Sequence, residues 1–315
     1  MTNKIKKRIT SNANIISLAA MLLVFTAVNP SFLNAYNVKN LCTSIAPLLI
    51  IACGATFVTL VGSLDLTMGA VCSCSNVIFV FLMPYLGIGS YGFAIGFGVL
   101  AGFLLGVIHT KLKIPSFIAS LGMMNVYNSM ALLICPSPVS ITKEYKYIIG
   151  WGKVTAGIFS MMTVLALLYM AILFVVQKHT VVGKSMNMVG ANERAARISA
   201  MKVDRTKIFA FTMCGMSSAL AGIILAIKLQ SSSATMGSTY TLLAVAAVLL
   251  GGTYMTGGKG SVLQSMIGAV MVMVIQNGMT IIGVDSFWSQ IIFGGLILLA
   301  MALTTDRSVK NQVVK

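Results

Sequence analysis

Few residues in this chain could do chemistry, and most of those are uncharged and set in oily sequence. Asp65 is the carboxylate placed between apolar runs, within Gly62-Ser63-Leu64-Asp65-Leu66-Thr67-Met68-Gly69. A solitary carboxylate lacks the partner that acid–base catalysis needs, but it can N-cap a helix beginning at Leu66 or line the path of a polar solute. Asn76, Asn125, Asn128, Gln276 and Asn277 are amides inside apolar stretches. An amide in hydrocarbon must find a partner, so these residues are expected to face inward, either joining helices or hydrogen-bonding a passing molecule. Neutral donors and acceptors suit a neutral polyhydroxylated solute, which needs hydrogen bonds but no counter-charge.

Other chemistries fail on spacing. Gly257-Gly258-Lys259-Gly260-Ser261 resembles the end of a phosphate loop, but Thr253 stands where that pattern needs Gly, and Gly260 where it needs Ser or Thr. Nucleotide hydrolysis by this chain is not expected. The cysteines at 42, 53, 72, 74, 135 and 214 show no zinc spacing and read as small apolar filler. His109 and His179 sit beside Lys111 and Lys178 at helix C-termini, with no carboxylate or Ser nearby in sequence to make either catalytic. No metal or cofactor of its own is expected.

The elements that must position these residues are membrane spans. The chain has 315 residues, 57% of them hydrophobic and 9% charged, and a mean hydropathy of +0.94. Soluble domains carry about 25% charged residues, so too little polar surface remains here to wrap a water-soluble globule. Apolar runs near 14–29, 43–62, 66–83, 91–110, 116–135, 157–176, 208–228, 240–252, 262–282 and 287–304 predict an all-α integral membrane protein of ten transmembrane helices. Tails 1–13 and 305–315 flank one transmembrane domain over 14–304, and the first run reads as a retained helix rather than a cleaved signal. The eighth run falls short and ends at Gly251-Gly252, which points to a broken helix at a permeation site or to a tight turn. An even helix count leaves room for halves of inverted topology. Gly98, Gly102 and Gly106, with Gly92 and Gly96 before them, would strip side chains from a stripe of the fourth helix and let a second backbone approach.

The net charge of +16 does not signal nucleic acid, because the basic residues sit in short clusters between apolar runs instead of on one polar face. With ten crossings, seventeen Lys and Arg fall on the side of the termini. Lys39, Lys143, Lys146, Lys153 and Lys228 fall opposite. The positive-inside rule then places both termini in the cytoplasm, facing anionic lipid.

The inner connection, 178–207, is polar in an otherwise oily chain. Within it Ala191, Ala195, Ile198 and Met201 are spaced along one helical side, and Glu193 and Arg197 form an i,i+4 pair. A short helix across the membrane face, small on one side and charged on the other, is shaped to seat in a groove of a soluble partner. The outer connection, from Cys135 to Gly157, mixes Lys143, Glu144, Tyr145, Lys146, Tyr147 and Trp151, a composition suited to the interface or to a docking partner.

These residues carry a resemblance. The inner loop with Gly190, Asn192, Ala195, Ala196 and Ser199 resembles the coupling segment in the membrane subunits of ribose-type ATP-binding-cassette importers. The Asp65 segment, Lys113 to Met124, Ser137-Pro138-Val139, and Ala246 to Thr253 through Gly260 resemble that family in the same order, over nearly the whole chain. The resemblance implies a multi-pass permease of the bacterial cytoplasmic membrane that pairs with a second permease chain. It also implies an extracytoplasmic solute-binding protein that feeds it and a cytoplasmic ATP-binding-cassette ATPase that drives it. The permease itself is then not an enzyme, since its partner uses the ATP. By that resemblance Gly190, Asn192, Glu193, Arg194, Ala195, Arg197, Ile198 and Met201 form the coupling element. Asp65, Asn76, Asn125, Asn128, Gln276 and Asn277 are the expected substrate path. The sequence departs from the family at Gly62-Ser63, which is reversed, at Asn128-Ser129, at Thr241 and Leu243, and at Ala200, where Gly is common. These departures bear on the solute: a monosaccharide is the first expectation, and a nucleoside, a quorum signal or a branched-chain amino acid are alternatives. An amino acid would want charge-complementary groups or exposed helix N-termini. A secondary carrier would keep intramembrane ion sites, which the sequence scarcely has.

Overall fold

The computed structural model describes residues 13–295 except 286, 289 and 293. The chain is mostly helical, as a backbone dissolved in lipid must be, because a helix satisfies its own N–H and C=O groups within one segment. Helix α1 is Ala13–Val28, and a 3₁₀ turn at Pro30–Leu33 leads into α2, Ala35–Leu60. Then come α3 (Met68–Leu86), α4 (Gly89–Lys111) and α5 (Ser116–Ile134). The next connection holds β1 (Val139–Ser140), a helical turn at Lys146–Ile149, and a hairpin of β2 (Thr155–Ala156) with β3 (Phe159–Ser160). Helix α6 spans Met161–His179, and two short helices follow, α7 (Val181–Ala191) and α8 (Glu193–Ile198). Helix α9 is Val203–Leu229, β4 is Ser231–Ser232, α10 is Tyr240–Leu250 and α11 is Val262–Ile282.

Helices α2, α3, α4, α5, α6, α9 and α11, seven in all, are long and apolar enough to cross a membrane, while α1 and α10 are apolar but shorter. Each of the first nine predicted runs therefore contains a helix. The second begins eight residues early, at Ala35, and the sixth begins late because the β2–β3 hairpin occupies its start. The tenth run, 287–304, extends outside the described residues, as do most of the predicted tails at 1–13 and 305–315.

Helices α2 and α9 form the centre. Both are apolar around most of their circumference and are buried from Ala46 to Leu60 and over most of Thr206 to Ile227, the pattern of helices enclosed by others. Helix α4 lies against α9 through its glycines: a Cβ on Gly102 would collide with the Phe211 carbonyl oxygen, and one on Gly98 with the Ala219 side chain. Gly92 and Gly96 do not share this face, since a Cβ there would meet nothing within 4 Å. Gly96 precedes Gly98 by two residues, which turns it about 200° round the helix. Gly102→Val is therefore expected to cost about 1–3 kcal/mol through overpacking against main chain, and Gly92→Ala to leave the melting temperature in detergent unchanged or slightly raised.

The connections sort to two ends. One end gathers 61–67, 112–115, 180–202 and 251–261, tied by Gly258 N–H to Leu60 O at 2.9 Å, Leu64 N–H to Ser116 Oγ at 3.1 Å, and Gln177 Nε2 to Gly260 O at 3.0 Å. At the other end Trp151 Nε1 donates to the Tyr91 hydroxyl, which donates to Ile148 O, each at 2.9 Å. The basic residues follow this division: among the described ones, Lys111, Lys113, Lys178, Lys184, Arg194, Arg197, Lys202, Arg205, Lys207 and Lys259 stand at the α8 end. Lys39, Lys143, Lys146, Lys153 and Lys228 stand at the other.

Candidate functional site

Two non-helical stretches enter the bundle from opposite ends and meet at its centre. Helix α2 stops at Leu60, Gly62 turns with φ +71°, and residues 63–67 climb without helical bonding to the start of α3. Asp65 on this climb lies against the Cys214 thiol, near the middle of α9 and well inside the end where α2 finishes. From the opposite end, Ser231–Ser232 pairs antiparallel with Val139–Ser140, and the chain descends to Tyr240 before it becomes helical. The descent is held by Asn76 Nδ2 donating to Ser233 O at 3.1 Å and Gly237 N–H donating to Ser73 Oγ at 2.8 Å. The N-termini of α3 and α10 thus face each other in mid-bundle. The short eighth run resolves into a half-span: a two-residue strand followed by turns over 234–239, an eleven-residue helix, and a glycine turn after it.

Some polar groups at this junction are spent on one another, while Ser75 Oγ, Asn76 Oδ1 and Ser232 Oγ are buried without a protein partner among the described residues. Asp65 Oδ1 accepts from Thr67 N–H at 2.7 Å and from Thr67 Oγ1 at 2.6 Å, so the carboxylate closes a turn just ahead of α3. This differs from a cap on a helix starting at Leu66, because the helix begins two residues later, at Met68, with Thr67 in the cap position. Gly69 N–H donates to Thr241 Oγ1 at 2.9 Å. Helix N-termini attract anions through unpaired N–H groups and the helix dipole. Here α3 already has its own carboxylate and a hydroxyl. Asp65 Oδ2 is buried without a protein partner and borders a cavity of about 10 Å³ lined also by Thr59, Met68, Val245 and Val248, the room that one water needs.

At the α8 end a second constellation faces outward. Asn192 separates α7 from α8 and caps the latter, its Oδ1 accepting from Ala195 N–H at 3.0 Å. Three ion pairs then involve α8, Lys207 to Glu193 at 2.8 Å, Arg197 to Glu193 at 3.0 Å and Arg197 to Asp204 at 3.0 Å, and a fourth, Lys111 to Asp204 at 3.6 Å, ties α4 to α9. Burial works against the Glu193 carboxylate, but hydrogen bonds from Lys207 and Arg197 outweigh it and hold the pKa below the usual carboxylate value. A carboxylate with a lowered folded-state pKa adds stability above its unfolded pKa of about 4.3, and that stability is lost as pH falls through the folded value. Thermal melting should accordingly stay flat above about pH 5 and fall below it, and Glu193→Gln should flatten the acid limb.

Ala196 is the buried face of α8, while Arg194, Ala195 and Ile198 stand exposed and Met201 packs against the core. Ile198 is 87% exposed, a bare aliphatic side chain on a rigidly held helix. The helix ends at Ala200, which has φ +58° and lets Met201 N–H reach Ala196 O at 3.1 Å. Gly serves that left-handed position without a Cβ penalty. Ala200→Gly is expected to raise stability by up to about 1 kcal/mol, the strain relieved exceeding the backbone entropy added, as a melting curve would show.

Gly190 links the two constellations. A Cβ there would collide with the Leu60 carbonyl oxygen and with Gly258 N, and Gly257 packs on Gly62 in turn. The end of α7, the end of α2 and the turn before α11 are therefore in backbone contact, directly below the climb to Asp65. Gln177 completes the joint, since its Oε1 accepts from Val262 N–H at 2.9 Å and its Nε2 holds Gly260 O.

The six expected path residues do not hydrogen-bond one another. Asp65 and Asn76 flank the central junction. Asn277 and Asn37 donate to each other at 2.9 Å, joining α11 to α2, and Gln276 is half-buried beside them. Asn125 is exposed on α5 and bonds only back to Leu121 O at 3.3 Å, and Asn128 is half-buried. Sequence reading did not single out Gln177, Asp204 or Lys207. Asp204 follows Arg197 by seven residues across a turn, a pairing no helical spacing announces, and a lone Gln near a helix end carries no signal of its own.

A family model described as branched-chain amino acid transport system permease component matches residues 37–301. The ribose import permease protein of Bacillus subtilis (strain 168) is 35% identical over 300 residues, covering 93% of this chain and 92% of that one. That of Haemophilus influenzae is 30% identical over 295 residues, covering 91% and 90%. The fructose import permease protein of Rhizobium meliloti is 28% identical over 300 residues, covering 92% and 83%. No solved structure matches the chain.

Proposed function

The chain belongs to the family of branched-chain amino acid transport system permease components, and from that membership we propose that it is the permease subunit of an ATP-binding-cassette importer for a neutral monosaccharide. The observation that carries the choice of solute is the 35% identity to a ribose import permease over 93% of the chain, with which the uncharged amides and hydroxyls around the central junction accord. A zwitterionic amino acid would bring a carboxylate and look for open helix N-termini. Here the N-terminus of α3 already faces Asp65 and Thr241, and the N-terminus of α10, which has no side-chain cap, lies among hydroxyl, amide and carbonyl groups. Ribose and fructose, the sugars named for its relatives, need only such groups.

The full architecture we propose has ten spans, with both termini and the α8 end in the cytoplasm of a bacterium and the chain in its cytoplasmic membrane. The ten-to-five division of described basic residues between the two ends supports that orientation. A separate cytoplasmic ATPase seats on α8, and a solute-binding protein docks at the opposite end, where β4, paired with β1, leads directly into the descent toward α10. A second permease chain completes the path. The small central cavity excludes a sugar, so this is a closed arrangement. Opening requires α2, α10 and the climb at 61–67 to part, and the contacts of Gly190 supply the lever. The test is competitive uptake in vesicles carrying the chain with its ATPase and binding protein. Labelled ribose or fructose should accumulate with ATP, and unlabelled leucine should not compete. Leucine accumulation would replace the sugar reading with the amino-acid one.

A further inference from the structure

His109 sits in the last turn of α4, where its ring joins three elements. Its Nδ1 meets Ile114 O at 2.8 Å in the turn between α4 and α5, its Nε2 meets Ser63 Oγ at 3.4 Å at the foot of the climb to Asp65, and the ring stands edge-on to Phe211 of α9 with centroids 5.6 Å apart. A carbonyl oxygen only accepts, so Nδ1 carries the proton and Nε2 accepts from the Ser63 hydroxyl. The next residue of the climb is held at the same corner, Leu64 N–H donating to Ser116 Oγ at 3.1 Å. Lys113, in the turn that the His109 bond to Ile114 spans, has φ +55°. A left-handed backbone is costly for a residue with a Cβ and persists only where its surroundings hold it.

The foot of the climb is thus pinned to two bodies by successive residues. Leu60 and Gly62 lie against Gly190, Gly257 and Gly258, whereas Ser63 and Leu64 are bonded to the α4–α5 corner. That corner goes with α9, because Gly98 and Gly102 of α4 lie against its main chain. A displacement that arrives at the first joint cannot carry the climb while the second holds. Of the two bonds at the corner, the one from Ser63 to His109 is longer than the usual hydrogen-bond range, so it gives first.

We propose that His109 is a positioning residue of the transport cycle, clasping the climb through Ser63 in this closed arrangement and releasing it each time the path opens. The inference rests on the permease reading above and adds, beyond the joint at Gly190, a contact that must break.

A metal clamp tests the need for release. Ser63→Cys puts a thiolate where the hydroxyl meets Nε2, and a tetrahedral zinc ion with sulfur at about 2.3 Å and nitrogen at about 2.0–2.1 Å holds two such atoms about 3.5 Å apart, close to the 3.4 Å already present. Zn²⁺ alone is loaded on the purified complex of permease and ATPase before reconstitution, and a parallel sample is stripped with chelator. In the Ser63→Cys chain zinc should lower ATP-driven uptake about tenfold or more, because the clamp has to come apart in every cycle, and the chelator should restore it. The unsubstituted chain and the Ser63→Cys, His109→Gln chain should not respond. Zinc retained by the Ser63→Cys complex without slowing uptake would show a contact that never opens, and no zinc retained beyond the unsubstituted complex would show that residues 63 and 109 do not meet. Either result overturns the proposal. Where the Ser63→Cys chain is poorly made, His109→Ala decides: loss of the clasp should raise ATP hydrolysis in the absence of loaded binding protein about fivefold, the shift that one hydrogen bond sustains, and unchanged hydrolysis would overturn it. Uptake by the unsubstituted chain is measured alongside. Its absence removes the permease reading, whereas uptake that zinc leaves untouched in the Ser63→Cys chain removes the clasp alone.

Discussion

Ile198→Asp should reduce ATP-driven uptake by about 30-fold to 1,000-fold while the chain stays folded in the membrane at wild-type amounts. The first half of that expectation follows from exposure. Ile198 is 87% exposed on a six-residue helix held by ion pairs to Asp204 and Lys207 of α9, so little of its side chain supports the fold. A central apolar anchor of a protein interface is worth about 2–4 kcal/mol, and each 1.4 kcal/mol is tenfold in the bound fraction. A carboxylate in place of that anchor also brings a charge that the ATPase groove would have to desolvate. The measurement is recovery of the ATPase with the tagged permease, alongside uptake. Wild-type recovery and uptake in the Ile198→Asp chain would show that the ATPase seats elsewhere.

Gly190→Val should be more severe for the chain itself, costing about 3 kcal/mol or more, at the upper end of what overpacking does. The added atoms fall on main chain from two directions, the Leu60 carbonyl oxygen and Gly258 N, and neither can rotate away as a flexible side chain would. Gly258 N–H also donates to Leu60 O at 2.9 Å, so relief of the clash breaks a buried bond. The expected result is loss of the melting transition in detergent or of the chain from the membrane. If Gly190→Val melts like wild type and still transports, α7, α2 and the 251–261 turn are not in the contact described, and the proposed lever has no joint.

The two variants separate the stages of coupling. On the proposed reading Ile198 would meet the partner, and Gly190, packed on Leu60 and Gly258, would pass displacement to the end of α2 and the climb that holds Asp65. The network of Glu193, Arg197, Asp204 and Lys207 ties α8 to α9. Removing Glu193 would leave Lys207, whose side chain is only 11% exposed, without its counter-charge.

Much of this was legible in the sequence because lipid enforces simple rules. The span lengths, the glycine stripe at Gly98, Gly102 and Gly106, and the polar break between Lys178 and Lys207 each follow from one local property read along the chain. The shortfall at Leu250 and the glycines after it pointed to a broken helix or a tight turn without deciding between them. What precedes the short helix was not legible, because the approach over 231–239, a short strand followed by turns, is held by Asn76 and Ser73, some 160 residues away. Partnership at that distance leaves no periodicity. The amides show the same limit. Asn277 and Asn125 are alike in sequence context, yet one is paired across two helices and the other bonds only back to its own helix. Gly96 and Gly98 differ only by a 200° rotation, and without the position of α9 nothing distinguishes the packed glycine from the open one.

The most direct test of the central claim is solute uptake into proteoliposomes that hold the chain with its co-purified ATPase, the binding protein outside and ATP trapped inside. The account predicts concentrative sugar uptake that requires ATP and stops when the ATPase is inactivated by mutation of its catalytic carboxylate. Undiminished uptake with the inactive ATPase would contradict it, because the force would then not enter through α8.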